Sequence, residues 1–152
     1  LLRNNELDAG FNYWNYTARL EAAGYRKLIS FEQILPVIGI TGELPLIGYV
    51  FRESYAEKNN NSIDNFIRAS EEARKILKDS NEEWTRIAHL TGANDANMLE
   101  KIRDNFRNGI PSKNNKAMLS NVNYAYKILK HIGGKKLVGK SNTLTPGTFW
   151  DN

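Results

Sequence analysis

The sequence contains no cysteine. That excludes disulfides, zinc–thiolate centres, iron–sulfur clusters and a thiol nucleophile within these 152 residues, while leaving the compartment open. No apolar run approaches the roughly 18 residues that a membrane-spanning helix needs, so the chain is expected not to span a membrane. Histidine is almost as scarce: His89 and His131 are the only two. Each falls near the C-terminal end of a different predicted helix, where the dipole favours a cation. They form neither an HxxxH nor an HExxH spacing, and a metal site needs more converging ligands. No GxSxG nucleophile elbow is present. Glu71/Glu72 and Glu82/Glu83 are sequence neighbours on helices, placed to cap or be solvated rather than to face one another across a cleft. The expected cofactor is therefore none.

Charge of one sign is also modest. Lys and Arg number 21 against 17 Asp and Glu, a formal +4. A dedicated nucleic-acid binder shows a denser basic stripe. On the segment around Arg68–Lys78 the basic residues interleave with Asp64, Glu71, Glu72 and Asp79 at i,i+3 and i,i+4 spacing. That is the signature of a solvated, ion-paired helix.

At 41% hydrophobic the chain has enough apolar residues for one core. Leu1–Leu7 reads as the end of a helix, and residues 9–14 as a short strand running into a loop. Thr17–Ala23 reads as a helix stopped by Gly24, and Lys27–Phe31 as extended. Between Ile34 and Tyr49 stand Pro36, Gly39, Gly42, Pro45 and Gly48, which a helix should not survive. Leu46–Phe51 (LIGYVF) is apolar at both alternating sets of positions, as in a buried strand. It has too few partner strands in this sequence, so partners are expected upstream of Leu1.

After Arg52 the periodicity becomes helical. Ile63, Phe66, Ile67, Ser70, Ala73, Ile76 and Leu77 define one face, with Ser62 as N-cap. Ser80-Asn81-Glu82-Glu83 is a capping box opening a helix that runs to Gly92 and buries Trp84, Ile87 and Ala88. Asp95–Asn108 aligns Met98, Leu99, Ile102 and Phe106. Lys116–Ile132 aligns Leu119, Val122, Ala125, Tyr126 and Leu129 before Gly133-Gly134. The expected fold class is α/β, a few strands followed by four or more amphipathic helices.

Two segments invite chemistry. Residues 134–141 (GKKLVGKS) match the P-loop pattern GxxxxGK[ST]. That pattern requires a strand before it and a helix after it. Here a helix precedes it, and Thr143, Pro146 and Gly147 follow, so a basic helix-exit loop with Leu137-Val138 extended is expected instead. The second segment is Asp8–Tyr16. Phe11, Tyr13 and Trp14, with the amides Asn12 and Asn15, sit at a predicted strand-to-helix junction, where open α/β sheets bind ligands. Equally, the three aromatics could be core and Asn15 a helix cap.

Several stretches together resemble the nitrate/sulfonate/taurine class of ABC-transporter solute-binding proteins. Leu1–Trp14, with its core Glu6-Leu7-Asp8-Ala9, is similar to that family's "gxxDA…W" region. Residues 18–26 (ARLEAAGYR) fit its next helix and turn, and residues 48–56 (GYVFRESYA) its returning strand and helix start. Residues 66–77 and 80–91, including Trp84, are similar to its late helices. Gly109-Ile110-Pro111, Gly133-Gly134, Leu137-Val138-Gly139 and Gly147-Thr148-Phe149-Trp150 match a sub-branch. No single motif decides; their order and spacing across nearly the whole chain carry the likeness.

The resemblance implies part of a type II periplasmic-binding-protein fold. Residues 1–45 would be the end of a second lobe and the hinge crossing, and 46–152 the helical part completing the first lobe. It implies binding rather than catalysis, of a small sulfonate-, nitrate-, taurine- or pyrimidine-like solute, with an ABC permease as partner and no nucleic acid. It also implies a periplasmic or exported location, with a signal peptide upstream. Carried onto the "DA…W" match, the solute contacts are Asn12, Tyr13, Trp14 and Asn15. Two alternatives stand beside it. One is a helical protein- or nucleic-acid-interaction module using Lys135, Lys136 and Lys140. The other is an enzyme similar to a thiamine-pyrimidine synthase, whose family motif is rich in the cysteine this sequence lacks.

Overall fold

A computed structural model describes residues 2–111 and 116–150. Helices make up 63% of the described residues, and no strand occurs among them. The expected α/β class is thereby corrected: the described chain is all-α. Eight α-helices follow one another: α1 Trp14–Ala22, α2 Phe31–Ile34, α3 Glu53–Lys58, α4 Asn60–Asp79, α5 Asn81–Arg86, α6 Ala88–Thr91, α7 Ala96–Asn108 and α8 Lys116–Val138. Short 3-10 turns occupy Leu2–Asn4 and Leu35–Ile38.

The physical reason for the correction lies in residues 44–52. This segment is irregular, with Ile47 at 81% and Val50 at 95% exposure. A strand exists through its ladder, and no described segment offers it an edge. Residues 9–13 and 25–30 likewise carry no ladder. The type II binding-protein architecture, which needs such strands, is not what the described residues form.

The chain divides into two compact units. Unit 1 comprises Leu1–Leu28 and Val50–Ile110. Its core is Ala18, Trp84, Met98 and Ile102, all buried, with Ala22, Leu77, Ile87, Leu99 and Phe106 packed around them. These come from α1, α4, α5, the α5–α6 junction at Ile87 and α7, so Leu77, Trp84 and the stripe read over Asp95–Asn108 converge here. The Asp95 carboxylate caps α7, accepting from the Met98 amide at 2.8 Å. Ser80 Oγ caps α5, accepting from the Glu83 amide at 3.2 Å. The predicted helix from Ser80 to Gly92 is broken at Ile87 into α5 and α6. The N-cap of α4 is Asn59 rather than Ser62, and of its apolar face Ile63 is buried while Phe66 and Ile76 remain about half exposed.

Polar side chains close the helix ends of unit 1. Arg19, midway along α1, donates from Nη1 to Gly92 O and from Nη2 to Thr91 O, both at 2.8 Å. It thus neutralises the C-terminal carbonyls of α6 with a fixed positive charge. Asn97 Nδ2 donates to Ala22 O at the end of α1, 3.0 Å away. Asn105 Nδ2 donates to Glu21 Oε2 at 3.1 Å.

Unit 2 comprises Ile29–Tyr49 and Pro111–Asn152. Among the described residues, Leu35, Ile40 and Met118 are its buried apolar side chains. The expectation that no helix survives residues 34–49 fails at its start: Pro36 sits at the beginning of the 3-10 turn, where its missing N–H costs nothing. Gly39 ends the turn at φ 82. The Gly39 amide donates to Pro36 O and the Ile40 amide to Leu35 O, a Schellman closure that tucks Ile40 inside. A Cβ on Gly39 would lie 3.1 Å from Tyr124 Oη on α8, so space and φ both call for glycine. Asn121 Nδ2 then clamps the following loop to α8, donating to Thr41 O (2.9 Å) and Glu43 O (3.0 Å).

Replacing Arg19 with Met keeps the length of the side chain and removes its donors. Two helix-end carbonyls lose charge-assisted bonds, and unfolding free energy should fall by about 2–3 kcal/mol. Urea titration followed by tryptophan fluorescence measures this. A change below about 0.5 kcal/mol would show that the carbonyls are equally well served by water.

Candidate functional site

The aromatic segment Phe11–Tyr16 lies in unit 1 and leads into α1. Tyr13 is the N-cap of α1, with extended backbone and no side-chain cap hydrogen bond. Trp14 is the first residue of the helix, so α1 begins earlier than the predicted Thr17. Asn15 lies inside the first turn and is not the cap. Nothing acidic stands in that turn, which leaves the positive end of the helix dipole uncompensated.

The four residues expected to touch a solute differ in their surroundings. Asn12 is exposed, and its Nδ2 lies beside Gly10. Tyr13 is 77% exposed. Trp14 is divided between two environments: its ring meets Phe106 edge-on at 6.1 Å and 62°, while 43% of it remains open. Asn15 is half-buried. Phe11, expected as a core residue on the alternative reading, is 91% exposed, and Tyr16 is also exposed.

Behind Trp14 stands a row of aromatics. Phe106 on α7 packs edge-on to Trp84 as well, with ring centres 5.3 Å apart. The positive ring edges point into negative faces in both pairs, the preferred aromatic geometry. Trp84 Nε1 donates to Leu77 O at 2.7 Å, and Arg107 Nε donates to the same oxygen at 3.0 Å. Arg107 Nη2 is buried without a hydrogen-bond partner among the described residues. Arg103 is bonded through Nε to Asp104 Oδ1 (2.8 Å) and approaches Glu100. The Asp104 hydrogen bond raises the guanidinium pKa above its ordinary value, opposed by desolvation and assisted by the charges of Asp104 and Glu100.

Elsewhere the geometry argues against other chemistries. The P-loop-like stretch begins at Gly134, where α8 is interrupted by φ 57 and ψ −155. Residues 135–138 are helical, not extended as expected, so no strand delivers a phosphate loop. His89 and His131 are both exposed. No group of three or more His, Asp or Glu side chains among the described residues could hold a metal ion.

The charge is distributed unevenly, beyond the three lysines Lys135, Lys136 and Lys140 singled out in the sequence. Between Asp104 and Asp151 there is no acidic residue. Lys and Arg balance Asp and Glu in unit 1, so the whole formal +4 belongs to unit 2. Counting charge over the whole chain conceals this; counting it by segment finds it.

No protein-family model matches the chain, and no curated protein matches it in sequence.

The two aromatic contacts of Phe106 make it the more important packing residue of the row. Phe106→Ala should cost about 3 kcal/mol and Trp14→Ala about 1–2 kcal/mol, whereas Tyr13→Ala should change stability by less than about 0.5 kcal/mol. Thermal unfolding of the three variants checks the order; a Tyr13 variant as damaged as the Phe106 one would place Tyr13 in the packing rather than at a binding surface.

Proposed function

We propose that this chain is a solute-capturing component of an ABC importer of the nitrate/sulfonate/taurine class, working outside the cytoplasm, and that Asn12, Tyr13, Trp14 and Asn15 contact the solute. The observation that carries the reading is the exposure of Phe11, Tyr13 and half of Trp14 at the start of α1. Aromatic side chains in water are costly, and a group of them beside an uncapped helix start makes sense when a ligand covers them. The chemistry favours an anionic solute. Backbone N–H groups of the first turn and the amides of Asn12 and Asn15 donate hydrogen bonds to a sulfonate or nitrate oxygen, and the dipole favours its charge. Trp14 then serves as a wall fixed from behind by Phe106. The permease would be the partner on this reading.

The all-helical fold of the described residues favours a second reading, a helical interaction module, in which the exposed aromatics meet a protein rather than a small molecule.

A thermal-shift panel of taurine, an alkanesulfonate, nitrate and an aminopyrimidine separates the two. A solute present at about 100 times its Kd stabilises the protein by about 2.7 kcal/mol. One member should raise Tm, and Tyr13→Ala should abolish that rise while leaving the unliganded Tm unchanged. No shift from any member, with flat calorimetric titrations, would reject solute capture and leave the interaction module standing.

A further inference from the structure

The apolar segment Leu46–Phe51 finds no ladder in the fold, and solute capture at the start of α1 makes no use of it. From residue 43 to residue 52 the chain forms no helix, turn or bend, the longest such run among the described residues. The run is fastened at both ends. Asn121 Nδ2 holds Glu43 O to α8. Arg52 is the N-cap of α3, its carbonyl accepting from the Tyr55 and Ala56 amides at 2.9 and 3.1 Å. Between these anchors Leu46, Ile47, Gly48 and Val50 make no hydrogen bond with a described residue. In extended chain successive side chains point to opposite sides. Leu46 and Val50 therefore project one way, and Ile47, Tyr49 and Phe51 the other. Tyr49 is 61% exposed and Val50 95%.

An extended chain with unbonded backbone and apolar side chains on both sides fits a partner of one kind. That partner pairs with the backbone edge and receives alternate side chains in pockets. The active-site cleft of an endoprotease is built this way, with a slot for the side chain that precedes the scissile bond. Composition sets the character of that slot. No Lys, Arg, Asp or Glu stands between Glu43 and Arg52, so the slot is apolar. A second copy of the chain is a poorer fit. No strand occurs among the described residues, so the copy would supply only another lone segment. An isolated two-stranded ribbon is marginal in water.

We propose that residues 46–52 are a processing site for an endoprotease selective for large apolar side chains, cut between Tyr49 and Val50. Tyr49 fills the slot, with Leu46–Gly48 and Val50–Arg52 extended on either side of the bond. Phe51 is the poorer choice, because α3 begins at Glu53 and leaves too little extended chain beyond it. Hydrolysis adds one water. Its oxygen stays on the Tyr49 carbonyl carbon as a carboxylate, and both its protons go to the Val50 nitrogen, a new ammonium terminus. The nicked protein stays assembled, because each unit is held across the cut. In unit 1 Arg19 binds Thr91 O and Gly92 O, and Trp14 packs on Phe106. In unit 2 Asn121 binds Thr41 O and Glu43 O.

The test is limited digestion of the intact folded chain with chymotrypsin, followed by mass spectrometry over time. The first products should be fragments 1–49 and 50–152, eluting together in size exclusion in buffer and apart in urea. Val50→Pro puts a ring in place of the scissile N–H. At so exposed and unbonded a position it should leave circular dichroism unchanged and slow cleavage of this bond by about a hundredfold. An unchanged rate at that bond in the proline variant overturns the proposal. So does a first cut elsewhere, such as after Phe11 or Tyr13, and so do fragments that part in buffer. Resistance of the segment to chymotrypsin overturns it too. If that resistance comes with dimerisation that grows with concentration, the segment belongs to a second copy.

Discussion

Unit 1 depends on one carbonyl. Leu77 O lies in the last turn of α4, where a helix leaves its final acceptors unpaired. It takes a hydrogen bond from the Trp84 indole and another from Arg107. An indole can be buried to this degree only when its N–H has a partner, since an unsatisfied donor would cost about 1–3 kcal/mol. The turn between α4 and α5 therefore has to bring Leu77 to Trp84, and the Ser80 cap fixes that turn. With Trp84 in place, Phe106 has a ring to pack on, and Trp14 a ring beyond that. The exposed aromatic segment is thus held by a chain of contacts that begins at a helix end.

Unit 2 is assembled on another principle. Its buried apolar residues are few, and its definition comes from polar closures: the Gly39 turn, the Asn121 clamp on two carbonyls, and the Tyr126 and Lys130 bonds to the folded-back tail. Each satisfies backbone groups that the irregular segments 39–43 and 139–142 and the end of α8 leave open. A unit built this way can leave Ile132 and Leu137 outside, because its order does not require every apolar side chain within.

Local signals are legible in the sequence, and long-range ones are not. Ser80 is readable as a cap because capping is settled within four residues, though the same signal at Ser62 misplaced the start of α4, whose N-cap is Asn59. The stripe Met98–Ile102–Phe106 is readable because helical spacing repeats it. Leu46–Phe51 misleads because a strand is a property of pairs: the apolar alternation states a capacity to pair, while the partner must come from elsewhere. The break of α5 from α6 at Ile87 has no marker such as proline or glycine. Of the site, the aromatic segment is visible as composition, but that Tyr13 is exposed while Trp14 leans on Phe106 depends on a residue 92 positions away from Trp14 in the chain.

The uneven placement of charge has a consequence for how the molecule meets its surroundings. Unit 1 is formally neutral, its carboxylates and cations interleaved closely enough to pair, whereas unit 2 sets seven lysines against three acidic residues. Dissolved ions therefore act on the two differently. In dilute buffer the net positive charge of unit 2 disfavours its compact state, and raising the ionic strength screens the repulsion between lysines farther apart than about a Debye length. In unit 1 the same ions instead weaken exposed pairs such as Arg86–Glu83. One chain thus contains a part whose net charge salt screens and a part whose ion pairs salt loosens.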